Sequence, residues 1–143
     1  MHKYCEKIYH KLVEAGFNSE INKEDFIIFE SPFTNTPIIK YYYVRFDKER
    51  VLVFTMADII DIVAKTYSYE EIAYALSQKE MSFREDAVTV NVKEGSLIIS
   101  SLVSIGVFTS IESLYNNIYD TMIKCQGAFD DIISELEWNN KNN

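Results

Sequence analysis

Few side chains in this sequence are able to do chemistry, and those few are scattered. His2 and His10 are the only histidines. His10 falls on the polar side of a helical segment, with no second residue at a fixed spacing to share a proton or a metal ion. A surface histidine is the simpler reading, and His2 lies in a terminus expected to fray. Cys5 and Cys125 each stand among apolar neighbours at helical spacing, which is the usual setting of a buried free thiol. No C-x-x-C or Cys/His cluster offers zinc ligands. Carboxylates pair at Asp58/Asp61, Glu70/Glu71 and Asp130/Asp131. On a helix, Asp58 and Asp61 would be neighbours able to hold a cation. They lack a third oxygen ligand and an Asp/Asn-Gly loop, so solvated helix charge accounts for them. There is no G-x-S-x-G, no Ser-x-x-Lys and no glycine-rich phosphate loop. The expectation is therefore a protein without catalytic residues, metal or cofactor, and not an enzyme.

What remains is surface. In the run Tyr41-Tyr42-Tyr43, adjacent strand residues must face opposite ways. At least one ring is then exposed or half-exposed, and tyrosine is good contact material. Tyr41 and Tyr43 are the first candidate contact residues. Phe129, Ile132, Ile133 and Leu136, the far end of a long helical stripe, are the second. Ordinary packing inside the chain is the competing and commoner explanation for such a stripe.

These candidates need elements to position them. A chain of 143 residues, 48% apolar and with only four glycines and two prolines, is read as one domain over 1–138 with regular elements and a core of its own. Residues 139–143, "NNKNN", read as a solvated, disordered tail. "HKYCEKIYHKLVEAGF" places Cys5, Ile8, Tyr9 and Leu12 on one helical face and stops at Gly16. Strands are expected at 25–31, 37–46 and 50–56, the last two joined by the short polar link "DKER" as an antiparallel hairpin. Within 37–46 we take Tyr42, Val44 and Phe46 as inward. The stretch 57–79 turns to helical period, with a break near Tyr67–Ser68 and a capping box formed by Ser68 and Glu71, although "ADIIDIV" could also extend the preceding strand. "AVTVNV" alternates over 87–92, and "KEGS" supplies a turn with Gly95 available for positive φ.

The thirteen uncharged residues from Ser96 to Phe108 read as the last strand, apolar on both faces. Such a strand is either covered on both sides, or covered once and paired with another chain. The run is too short to cross a bilayer as a helix. After it, Thr109 and Glu112 form a T-x-x-E capping box, and an apolar stripe continues from Ile111 to Leu136. Unbroken to Glu137, that helix would be roughly 40 Å long, so either Gly127 breaks it or its end projects. The fold class is α+β: an antiparallel sheet of about five strands in the order α-β-β-β-α-β-β-α.

The order of elements resembles the type III secretion chaperone-like fold. Residues 74–122, "YALSQKEMSFREDAVTVNVKEGSLIISSLVSIGVFTSIESLYNNIYDTM", are similar to the second half of that fold in the YbjN-like bacterial family. There a helix leads into a hairpin, and the hairpin into a helix with a Ser/Thr-x-x-Glu cap. The resemblance implies non-catalytic protein binding and a homodimer. The formal charge of −8 disfavours nucleic-acid partners. The charged N-terminus lacks a signal-peptide core, so a cytoplasmic protein with no membrane partner is expected. The leading expectation is a chaperone-like accessory protein. The alternative is a small acidic inhibitor, of the toxin-immunity or anti-defence kind, that neutralises a basic enzyme with its carboxylates.

Overall fold

The computed structural model describes residues 2–35, 38–63, 67–106 and 109–142. Ten elements follow in order: α1 (Cys5–Glu14), β1 (Ser19–Asn22), β2 (Phe26–Glu30), β3 (Tyr41–Asp47), β4 (Arg50–Asp58), α2 (Ile59–Val63), α3 (Tyr69–Glu85), β5 (Thr89–Lys93), β6 (Ser96–Ser104) and α4 (Ile111–Lys141). The strands form one antiparallel sheet in the order β1-β2-β3-β4-β6-β5. The α+β class and the helices at both termini are as expected. The sheet has six strands rather than about five. The additional one, "SEIN", is a short edge strand carrying a single apolar residue, Ile21.

Local chemistry explains the element boundaries. The α1 helix ends in a Schellman arrangement: Gly16, at φ +93°, donates to the Val13 carbonyl, and Phe17 donates to Leu12. Ser68 and Glu71 form the expected reciprocal capping box at the start of α3. Glu94 and Gly95 both take positive φ in the two-residue turn between β5 and β6, which matches the twist of the hairpin.

Several boundaries differ from expectation. Residues Ala57 and Asp58 belong to β4, because their side chains continue the strand's alternation, Ala57 buried and Asp58 exposed. The α4 cap is Ser110, which accepts from the Ser113 amide. Thr109 instead accepts from the Gly106 amide at 2.7 Å. Gly127 does not break α4, which runs for 31 residues, roughly 46 Å at the standard rise. That helix also takes in most of the expected tail: Asn139 is buried and donates to Gln78 at 2.8 Å. The strand expected over 37–46 begins at Tyr41, Ile39 turns into the core, and the expected start at Pro37 lies outside the described residues.

The core lies on one side of the sheet. Ile27, Phe29, Tyr42, Val44, Val53 and Ile99 point into it, and the buried faces of α1 and α4 close it with Ile8, Leu12, Leu114, Ile118 and Met122. Tyr42 is fully buried and keeps its hydroxyl satisfied by donating to Gln126 Oε1 at 2.6 Å. Burial raises the Tyr42 hydroxyl's pKa well above its ordinary value. Both cysteines are free and buried.

Candidate protein-binding face

The helices cover one face of the sheet, and the alternation of the strands brings a second apolar set to the other. The registers place Glu20, Ile28, Tyr43, Phe54, Ser100 and Thr89 in one row across all six strands. On either side of that row lie Phe26, Tyr41, Leu52, Met56, Ile98 and Leu102. Tyr41 is 45% exposed and Leu102 is 56% exposed. Phe26, Ile28, Tyr43, Leu52, Phe54 and Ile98 are half-buried, yet none is among the partly buried residues packed on the core. They shield one another instead.

Three rings form the centre. Tyr43 and Phe54 stack with centroids 4.9 Å apart and 13° between planes. Phe26 lies 5.8 Å from Tyr43 and 6.1 Å from Phe54. Each favourable ring pair contributes about 0.5–1.5 kcal/mol beyond its buried area. The cluster is therefore held in shape by itself, on strands that cannot move independently. It offers a preformed apolar platform rather than a flexible patch.

Two shallow depressions flank the rings. One, of about 310 Å³, is lined by Asn18, Glu20, Ile28, Glu30, Tyr41 and Tyr43. The other, of about 150 Å³, is lined by Lys40, Tyr41, Tyr43, Met56, Asp58 and Asp61 among others. Partial burial, then the neighbouring Tyr41 and Asp58, raises the Tyr43 hydroxyl above its ordinary range, so it is a neutral donor and acceptor at physiological pH. Asp58 and Asp61 do converge on one depression, with Lys40 beside them. Among the described residues, no three His, Cys, Asp or Glu side chains are grouped to hold a metal ion.

The six contact residues expected from sequence separate into two places. Tyr41 and Tyr43 are on the uncovered face. Phe129, Ile132 and Leu136 are fully buried against the chain's own core, and Ile133 is half-buried there. The distal helical stripe is therefore occupied from within. The last strand, β6, ends at Ser104, its expected end at Phe108 lying outside the described residues, and among the described residues it is covered on one side only: Leu97, Ile99 and Val103 are buried, while Ile98 and Leu102 look out. The signal for this was present in "RVLVFTM" and "SLIISSLVS", whose two parities are both apolar, but alternation alone does not say which parity a helix covers.

The histidines do not join the face. His2 is docked rather than frayed: its Nε2 donates to the Lys48 carbonyl at 2.7 Å, its Nδ1 accepts from the Tyr4 amide, and its ring lies 5.3 Å from Phe46. His10 is exposed, 3.8 Å from Glu6. Both thiols are pushed up to about 12, chiefly by burial, which suppresses the thiolate that nucleophilic chemistry requires.

No family model matches the chain, and neither does any curated protein. Solved structures do match. YbjN from E. coli superimposes with a TM-score of 0.61 at 10% identity, over 96% of this chain and 92% of that one. A chain of the ExsC–ExsE complex gives 0.59 at 12%, over 86% and 88%. A protein from Methanothermobacter thermautotrophicus gives 0.61 at 10%, over 95% and 98%. The chain has the fold of YbjN and of the chain from the ExsC–ExsE complex. At these identities the likeness is one of fold, and it covers nearly the whole of each chain. Among the described residues, no helix is long and apolar enough to cross a membrane.

Proposed function

We propose that this chain is a non-catalytic, chaperone-like protein-binding domain whose working surface is the open face of the sheet. The observation that carries this reading is the self-stacked cluster of Phe26, Tyr43 and Phe54, surrounded by apolar side chains that no described helix packs against. Soluble monomers rarely present a large contiguous apolar patch, and where one occurs it marks an interaction site. Aromatic residues on a rigid frame are the side chains that most often dominate an interface. The fold supports the reading too: one structural neighbour was solved as a complex of two different proteins. The two unpaired cysteines accord with a reducing, cytoplasmic setting. A second copy of the chain is the first candidate partner, and a different protein the second.

The test is affinity capture from the native host with the parent chain and with Leu102→Asp, which places a charge on the open face without touching the core. The reading predicts that a defined protein is retained by the parent and lost by the variant, while the variant keeps the parent's circular-dichroism spectrum and cooperative unfolding. Identical sets of bound proteins for the two chains would refute it.

A further inference from the structure

We infer that the Tyr41 corner of the open face takes an arginine side chain from a partner protein, carried on a segment that is otherwise apolar. This rests on the reading of that face as the working surface. It commits to the second of the two partners named there, a different protein, and states the chemistry by which that protein is recognised. The face is not uniform along its strands. Its middle is apolar, with Phe26, Leu52 and Phe54. At one end Glu20 and Glu30 line the depression on one side of Tyr41, and Asp58 and Asp61 line the depression on the other, where Lys40 also stands. At the opposite end Arg45 and Arg50 outnumber Asp47, which lies 3.7 Å from Arg50. A partner that covered only the apolar middle would leave the carboxylate end unmatched. One that also carries a cation at that end matches both, and complementary charge of this kind sets orientation and partner choice.

The depression of about 310 Å³ beside Glu20 is the one that fits a cation, since none of its lining residues is a lysine or an arginine. Glu20 stands opposite Ile28, so Glu30, two residues further along β2 on the same face, is its diagonal neighbour. Both carboxylates are exposed. Among the described residues, neither has a basic side chain within ion-pair distance. Asn18 Nδ2 donates to Glu30 Oε1 at 3.0 Å, which steadies a carboxylate that the register sets directly opposite Tyr41. The tyrosines are equally well placed. Tyr41 is 45% exposed, and Tyr43 is held from behind by its stacking on Phe54.

Two tyrosine rings and two carboxylates around one shallow depression suit a guanidinium group. Its plane stacks on an aromatic face while its edge donates to carboxylate oxygens. A lysine ammonium is a more strongly hydrated point charge and gains less from the rings. A divalent metal ion needs more oxygen ligands than two carboxylates supply, and nucleic acid would bring phosphates against them. A small free cation would leave the apolar middle of the face uncovered, so the arginine arrives on a chain that covers it. Charge also separates the two candidate partners. A second copy brings the same formal −8, and its Arg50 and Arg84 already face Asp47 and Glu80. The field that repels a copy draws in a basic protein.

The test pans a displayed library of short random peptides on the parent chain. The selected peptides should carry arginine beside apolar residues. In one such peptide, replacing arginine by citrulline keeps the shape and removes the charge, and should weaken binding about tenfold. The double variant Glu20→Gln and Glu30→Gln should weaken the arginine peptide to a similar degree, with an unchanged circular-dichroism spectrum. Tyr41→Leu, which removes the ring and keeps an apolar side chain, should weaken it roughly threefold. Added salt should weaken binding to the parent and have little effect on the double variant. A library that yields no binders, binders without arginine, or a citrulline peptide that binds as tightly as its arginine form each overturn the inference. If binders without arginine are lost on Leu102→Asp, the arginine site is wrong but the face stands as the working surface. If neither the double variant nor Leu102→Asp weakens the selected peptides, the reading of the face fails as well.

Discussion

Tyr42 and Tyr43 are adjacent in the chain and nearly opposite in fate. Tyr42 is fully buried under α4 and spends its hydroxyl on Gln126, whereas Tyr43 is half-buried, stacks on Phe54 and looks away from the helices that cover the core. The two faces of the sheet that they represent are built from similar residue types. They differ in what lies above them. Helices α1 and α4 supply a matching apolar surface for one face; no described helix does so for the other. The lesson is that apolar composition sets how much surface must be covered, while topology decides how much of it the chain covers for itself.

The largest expected contrast between the faces is in stability. Phe129→Ala empties a fully buried site and should cost about 3–5 kcal/mol in denaturant unfolding. Phe54→Ala should cost less, about 1–3 kcal/mol in the monomer, because its ring is held only by its stacking on Tyr43 and Phe26. Equal costs would mean that the open face is covered after all.

A second contrast comes from pH. In the unfolded chain both thiols ionise from their ordinary value of 9.0 upward, while in the folded chain burial holds them neutral up to about 12. Their contribution to stability is therefore full below pH 9 and is lost as pH rises from 9 toward 12. Cys125→Ala should flatten that decline, as read from melting temperature across the alkaline range. An unchanged slope would show that the Cys125 thiol is not held neutral by the core.

Smaller effects sharpen the comparison. Tyr42→Phe removes the hydrogen bond to Gln126 and should cost about 1 kcal/mol, whereas Tyr43→Phe should change stability by less than about 0.5 kcal/mol. Gly127→Ala should stabilise by up to about 1 kcal/mol. A methyl group there meets no heavy atom within 4 Å, and the helix is continuous through that position. A loss of stability instead would indicate that α4 bends at Gly127.

Much of the fold was legible in the sequence, because periodicity and capping act locally. The Ser68/Glu71 box, the Gly16 stop and the Glu94–Gly95 turn each follow from residues within one turn of one another. The β1 strand was not legible, since "SEIN" carries one apolar residue and gains its place only by pairing with β2. The cap of α4 was displaced by one residue because Thr109 turned its hydroxyl back to Gly106. At the candidate site, Tyr41 and Tyr43 could be named from the tyrosine run alone. Phe26, Phe54 and Leu102 could not, because their role depends on which face α4 covers, and that is settled only when the whole chain has packed.

The central claim is that partners meet the open face rather than the helices. Hydroxyl-radical footprinting tests this directly, because the protein carries an exposed methionine on each side: Met56 on the open face at 37% and Met81 on α3 at 73%. Raising the concentration from nanomolar to micromolar, or adding a captured partner, should protect Met56, Tyr41 and Leu102 and leave Met81, Tyr74 and Trp138 reacting as before. Protection of Met81 and Trp138 with Met56 unchanged would contradict the account.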